Sequence, residues 1–173
     1  MTSTKQVFKN LVGSWTIRRV LGSYGHGEGS AKFTVTSESP TTHDPLVLRY
    51  REDMTLAYTS ESGLRQGQGV GGTAYQEYVY LYDEEKDKIT KEFVDGRHFY
   101  DLKLDLERME GEGEHLCDKD FYRSKYVFQD CNHFTLAYDV KGPQKDYVIQ
   151  TLFTKDETAT APKTSMSSST EKS

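Results

Sequence analysis

The sequence lacks the features that mark membrane proteins and nucleic-acid-binding proteins. No apolar run in its 173 residues approaches the roughly 20 residues that a helix needs to span a bilayer. The formal net charge is -5, and no stripe of Lys and Arg is long enough to neutralise several phosphates. We therefore expect neither a membrane nor a nucleic acid among the partners of this protein.

Cysteine is also scarce, since Cys117 and Cys131 are the only two. The first six residues, MTSTKQ, have no apolar core of the kind found in secretion signals, which predicts a cytoplasmic protein. Thiols stay reduced in that compartment, so two free cysteines are expected rather than a disulfide. His115 and Cys117 would share one face of a strand, but zinc needs three or four ligands and the sequence indicates no others, so no metal site is predicted.

Aromatic residues are abundant, with 12 Tyr and 8 Phe, and this composition favours strands. The sole tryptophan, Trp15, follows Gly13 and Ser14 at the start of the first strand-like run. A short helix is predicted just before it, over residues 3–10, with Ser3 or Thr4 as its cap. A G-x-W in this position resembles the start of a calycin-type barrel, in which such a helix can close one end.

Period-two alternation predicts a single all-β domain, an up-and-down antiparallel calycin-like barrel of about ten strands with a short N-terminal helix. The expected boundaries are 1–12 for the helix and lead-in, 13–155 for the barrel and 156–173 for a disordered tail. Turns are predicted at the glycine-rich residues 22–29, at Glu52-Asp53 and at Asp95-Gly96. The glycine-rich residues 64–72 are expected to form a flexible loop over the mouth of the barrel.

Alternation also indicates which side chains point inward. Trp15, Ile17, Arg19 and Leu21 share one face of the first strand. A buried Arg19 would need a carboxylate, carbonyl groups or an anionic ligand, and a structural ion pair or stacking on the tryptophan are alternatives to a ligand. Tyrosines share one face in each of two strands, and one of these ladders should line the interior: Tyr78, Tyr80 and Tyr82 in one strand, Tyr122 and Tyr126, on either side of Ser124, in the other.

Several sequence blocks together resemble a known family. They are residues 95–99 (DGRHF), 113–117 (GEHLC), 120–122 (DFY), 126–128 (YVF) and 142–147 (GPQKDY), in this order. The chain resembles, from about Gly13 to Thr154, a calycin-like, lipocalin-like β-barrel family that is known only as a domain of unknown function. This resemblance implies a compact barrel similar to lipocalins, fatty-acid-binding proteins and nitrobindin-like haem barrels. The sequence departs from the family's pattern at Tyr100, Gln76 and Tyr80, where histidine, arginine and tryptophan are usual.

The leading functional prediction is an intracellular barrel that binds a small hydrophobic or amphipathic ligand. Arg19, Arg97 or Lys145 would hold a carboxylate or phosphate group of such a ligand. The alternative is an enzyme (an isomerase, cyclase or hydrolase) with His115 as general acid or base and Tyr122 or Asp120 as its partner. A further alternative is a protein-interaction module with a filled barrel. The sequence specifies neither a cofactor nor an oligomeric state, and haem would require a histidine facing an open apolar slot. The predicted ligand contacts are Trp15, Arg19, Tyr50, Arg97, Tyr100, Tyr126, Lys145 and Tyr147.

Overall fold

The chain folds into a closed barrel of ten antiparallel strands with one short helix at its N-terminus, in a computed structural model that describes residues 2–36, 46–58 and 70–157. Each strand pairs with its sequence neighbours, and β1 closes the barrel against β10. The predicted all-β, up-and-down fold is confirmed. Within those ranges, no helix has the length and apolarity that crossing a bilayer requires. The elements are α1 (Thr4–Asn10), β1 (Gly13–Leu21), β2 (Gly25–Val35), β3 (Leu46–Tyr58), β4 (Val70–Asp83), β5 (Lys88–Phe93), β6 (His98–Asp105), β7 (Glu110–Cys117), β8 (Asp120–Asp130), β9 (His133–Gly142) and β10 (Lys145–Lys155).

Helix α1 packs against one end of the barrel, as predicted. Ser3 caps it, because its hydroxyl oxygen accepts a hydrogen bond from the backbone nitrogen of Gln6 at 3.1 Å. Phe8 is buried on the barrel side and packs against the ring of Tyr82. The Trp15 indole nitrogen donates to the carbonyl of Leu11 at 2.8 Å, which ties the end of the helix to the first strand.

The predicted turn at Glu52-Asp53 is wrong, because both residues lie in the middle of the continuous strand β3. Their charges suggested a solvated turn, yet Glu52 is only 4% exposed and faces the barrel interior. Its carboxylate is stabilised there by Arg19, which lies on the neighbouring inward face of β1. An internal ion pair thus accounts for a charged residue inside a strand, and residues 46–58 form one strand rather than two.

The predicted turn over residues 22–29 is correct only at its beginning, since β2 starts at Gly25. Gly22 makes the turn with a φ of +55°. Gly25, Gly27 and Gly29 lie at every second position of β2, where the backbone of the paired strand β3 comes very close. A Cβ at Gly29 would lie only 1.9 Å from the backbone oxygen of Asp53. These glycines permit the two strands to approach one another, which is a different role from making a turn.

Two sequence predictions concern parts of the chain outside the described residues. The expected loop at 64–72 falls there except for its last three residues, which belong to β4. The expected disordered tail, 156–173, falls there except for Asp156 and Glu157. Cys117 and Cys131 are both exposed and do not pair with one another.

Candidate functional site

The end of the barrel opposite α1 contains a cavity of about 630 Å³. Ligand pockets in proteins usually measure about 300–1,000 Å³ and have mostly apolar walls with a few polar groups. The volume of this cavity lies within that range. Its wall is mostly apolar, because most strands contribute aromatic or aliphatic side chains to it. The charged side chains deepest in the cavity are Arg19, Glu52 and Lys91.

Arg19 and Glu52 form an ion pair that further protein groups hold in place. Arg19 Nη1 and Nη2 donate to the two carboxylate oxygens of Glu52 at 2.6 and 3.0 Å, and its Nε donates to the Thr151 hydroxyl at 2.8 Å. Tyr50 adds a hydrogen bond to Glu52 at 2.7 Å. Burial alone would lower the pKa of Arg19, but its hydrogen bonds to Glu52 raise it above the ordinary value. This guanidinium remains charged and is held by the protein itself.

Lys91 is the buried cation that the sequence analysis did not select. Its side chain lies in the cavity wall, the residue is 3% exposed, and its Nζ lies 2.9 Å from the hydroxyl oxygen of Tyr138. Within the described residues, no carboxylate comes within ion-pairing distance of this nitrogen. Burial lowers the pKa of Lys91 to about 7, although the negative charge of Glu52 acts in the opposite direction.

Aromatic rings surround the Lys91 amine, and their attraction for a cation offsets only part of the lowering of its pKa by burial. The ring of Tyr78 lies 4.1 Å away, and five further ring centroids lie 5.1 to 5.9 Å away. A ring face stabilises a cation by about 0.5–2 kcal/mol. Removing an ammonium group from water costs several kcal/mol, so desolvation is the larger effect. The amine therefore titrates near neutral pH.

A chain of phenol hydroxyls leads from Lys91 into the core. The hydroxyl of Tyr138 lies 2.7 Å from that of Tyr100, which lies 2.6 Å from that of Tyr126, which lies 3.0 Å from that of Tyr80. Burial raises the pKa of all four phenols well above the ordinary value. The hydroxyls therefore remain protonated, and each one can both donate and accept a hydrogen bond.

The predicted catalytic residues lie close together at the open end of the barrel. His115 lies in the cavity wall, with its ring edge-on to Phe99 at 5.1 Å, and it pairs with Tyr122 across β7 and β8. Asp120 is bound by Lys145, whose Nζ lies 2.9 Å from its carboxylate and 3.3 Å from the Tyr122 hydroxyl. These contacts raise the pKa of Lys145, so its amine is held as a cation. In the described part of the chain, no hydrogen bond joins His115 to Tyr122 or to Asp120.

The structure separates the predicted ligand contacts into distinct groups. One group lines the cavity, and it consists of Arg19, Tyr50, Arg97 and Tyr147. Arg97 lies at the rim with its side chain 73% exposed, where it pairs with Asp95. Lys145 lies beside Asp120, as described above. The remaining predicted contacts do not line the cavity: Tyr100 and Tyr126 are buried beneath it, and Trp15 is buried at the helix end of the barrel.

Three residues of the site were not predicted from the sequence as site residues, namely Lys91, Glu52 and Tyr138. Alternation nevertheless carried a signal for two of them. Lys91 is in phase with Ile89 and Phe93, and Tyr138 is in phase with Leu136 and Val140. Each sequence pattern predicts an inward side chain. No pattern could indicate that the two would meet across the barrel, because they are separated by 47 residues.

Comparisons with known proteins place the chain among barrels. A family model described as "Family of unknown function (DUF6314)" matches residues 11–155. The search among curated proteins found no match. The structure of the S-type phycobiliprotein lyase CPES from Guillardia theta is similar, with a TM-score of 0.61 and 9% identity over 90% of this chain and 94% of that chain. A redesigned β-barrel, mFAP1, bound to DFHBI, gives a TM-score of 0.36 and 8% identity over 85% and 96% of the two chains. At 9% identity, the likeness to the lyase is a likeness of fold.

Proposed function

The chain belongs to the DUF6314 family of unknown function, and we propose that its barrel binds one small, planar, amphipathic molecule in the open cavity. The observation that carries this proposal is the cavity itself, about 630 Å³ of space with aromatic walls and polar groups at its floor. A barrel that served only as a structural or interaction module would have no need of such a volume.

The walls favour a flat ligand. The rings of Phe93 and Phe99 are stacked with centroids 4.7 Å apart, and the ring of Phe99 is nearly parallel to that of Tyr138, at an angle of 5°. Tyr78 stacks on the other edge of the same group, 5.8 Å from Phe99. Rings grouped in this way form an apolar wall, along which a planar molecule would make a large contact with little ordering of side chains.

The floor favours a ligand with one polar end. Arg19 already makes three hydrogen bonds, to Glu52 and Thr151, so its charge is balanced within the protein and it supports the cavity floor. Lys91 has a single polar partner, Tyr138, within the described residues. A ligand oxygen, whether carboxylate or carbonyl, would complete the hydrogen bonding of this amine. The polar end of the ligand is therefore assigned to Lys91 in this proposal.

An enzyme on the same scaffold is a second candidate, because the His115 imidazole lies in the cavity wall next to Tyr122. The two candidates share the cavity and differ in what happens to the bound molecule. A catalyst would release an altered molecule in a reaction that depends on His115. A binding protein would return the same molecule, and His115→Gln would change affinity alone.

A matched pair of substitutions on β10 tests the cavity. Ile149 faces the cavity, whereas its neighbour Val148 faces outward and is 46% exposed. We expect the fluorescent probe anilinonaphthalenesulfonate to bind the native protein saturably with one molecule per chain. Ile149→Trp should weaken binding at least tenfold by filling the cavity, and Val148→Trp should leave it within twofold. Equal effects of the two substitutions, in variants with native circular dichroism, would mean that the probe binds outside the cavity and would refute the proposal.

A further inference from the structure

Lys91 differs from the other lysines that the structure describes near the open end of the barrel. Lys145 and Lys141 form ion pairs with Asp120 and Asp146, at 2.9 and 2.6 Å. Lys91 instead lies in an aromatic wall of the cavity, with a phenol as its polar partner. Among the described residues, no carboxylate lies within ion-pairing distance of this amine, so Lys91 is placed as a nucleophile in a cavity of ligand size rather than as a structural charge.

We propose that Lys91 is a covalent attachment site, at which planar aldehydes or ketones that enter the cavity are bound as imines. This inference rests on the proposed function, because the carbonyl compound must occupy the same cavity. It adds the chemical class of the ligand and the atom to which the ligand becomes attached.

The phenol chain has a complete set of hydrogen bonds when Lys91 is the neutral amine that this chemistry requires. When Lys91 is neutral, its lone pair accepts from Tyr138, and each further hydroxyl donates to the next one toward the lysine. Every hydroxyl hydrogen then has an acceptor. When Lys91 is an ammonium group, it donates to Tyr138, whose own hydrogen must then turn to Tyr100 or into the cavity. If it turns to Tyr100, the chain reverses and the hydrogen of Tyr80 has no acceptor among the residues that the structure describes.

The burial of Lys91 also favours its neutral form, because it removes the amine from water. The pKa of about 7 that burial gives to Lys91 leaves roughly nine-tenths of its amine unprotonated at pH 8. A solvated lysine with an ordinary pKa is less than about 1% unprotonated at that pH. The concentration of nucleophilic amine at Lys91 is thus on the order of a hundredfold above that at a surface lysine.

The reaction balances with groups that are already present. The Lys91 nitrogen attacks the carbonyl carbon, and a C–N bond forms as the C=O π electrons move to oxygen. The Tyr138 hydroxyl, 2.9 Å from the nitrogen, is placed to give a proton to that oxygen and to take one back from nitrogen. The C–O bond then breaks as C=N forms, and the oxygen leaves as water with both hydrogens of the amine. No oxidant or reductant takes part.

Naphthaldehyde is a suitable probe, because it is planar and apolar and its carbonyl is its only reactive group. The full chain is incubated with it at pH 8 in the presence of cyanoborohydride, which reduces an imine to a stable secondary amine. Peptide mass mapping then locates the label. We expect labelling at Lys91 at least tenfold above that at any other lysine. Lys91→Arg and Lys91→Met should abolish this label, and Lys141→Met should retain it.

Two analogues separate the imine from binding in the cavity. Naphthylmethanol has the same shape without the carbonyl, and naphthoate replaces it with an anion. If naphthylmethanol displaces the fluorescent probe but Lys91 remains unlabelled, the imine is refuted while the proposed binding function stands. If naphthoate binds and requires Lys91, and the aldehyde does not label Lys91, then Lys91 is an anion contact and the imine is equally refuted.

If neither analogue binds and no label forms, both proposals fail. Labelling of Lys91 that Ile149→Trp suppresses supports both.

Discussion

Arg19 and Glu52 meet inside the barrel as a two-pronged ion pair, with nitrogen–oxygen distances of 2.6 and 3.0 Å. Their side chains are only 16% and 5% exposed, so both charges have left most of their water. Buried pairs of this kind gain little net stability over apolar residues, but removing one partner leaves an uncompensated charge. The pair thereby fixes β1 and β3 in one relative position beneath the cavity.

Loss of either partner of this ion pair should therefore destabilise the protein strongly. Arg19→Met leaves the Glu52 carboxylate buried without its cation, and Glu52→Gln leaves the Arg19 guanidinium without its anion. We expect each to lower the free energy of unfolding by about 3–5 kcal/mol in urea denaturation. The double variant should lose clearly less than the sum of the two. Additive losses would show that the two side chains do not stabilise one another.

Close approach of β2 to β3 predicts a second, local effect. A Cβ at Gly29 would lie 1.9 Å from the backbone oxygen of Asp53 and 2.8 Å from the Cα of Met54, and neither atom can rotate away. Gly29→Ala should lower the free energy of unfolding by about 2–3 kcal/mol through overpacking. Ser30→Ala on the exposed face of the same strand should change it by less than about 0.5 kcal/mol. A similar, small change in both would show that β3 can move away without cost.

Sequence patterns predicted the barrel well because alternation is a local property. Trp15 and Ile17 are buried where period two placed them, and Ser3 caps the helix as expected. The pattern failed where a long-range contact reversed a local preference. Glu52 belongs to a strand because Arg19, 33 residues away, supplies its counter-charge. Gly29 belongs to a strand because Asp53 approaches its backbone.

The candidate site was harder to predict than the fold. The sequence indicated that Arg19 points inward and needs a partner, but it left open whether that partner is a protein group or a ligand. The answer depended on the carboxylate of Glu52, which the sequence pattern assigned to a turn. Lys91 has the same inward phase as Ile89 and Phe93. Lysine is rarely buried, so this phase alone gave little reason to select it. Its importance depends on Tyr138, which only the closure of the barrel brings to it.

The stability of the protein should depend on pH through Lys91, with a sign that its burial determines. In the unfolded chain, this amine has its ordinary pKa of 10.5, and in the folded protein burial lowers the pKa to about 7. Between these pH values the unfolded state binds more protons than the folded state. The free energy of unfolding therefore rises with pH in this window, by up to about 1.4 kcal/mol per unit for this one group. Below pH 7 both states hold the proton, and the dependence disappears.

Lys91→Met isolates this contribution, because methionine fills a similar volume and does not titrate. We expect the variant to be more stable than the native protein at pH 7 in urea denaturation, and its advantage should shrink steadily toward pH 9. Groups with unchanged surroundings cancel in this difference. The buried tyrosines, whose pKa values burial raises, lower stability only above about pH 10, where unfolded phenols ionise. A difference that stays constant from pH 7 to pH 9 would mean that Lys91 keeps its proton throughout, and the amine would then be no nucleophile at neutral pH.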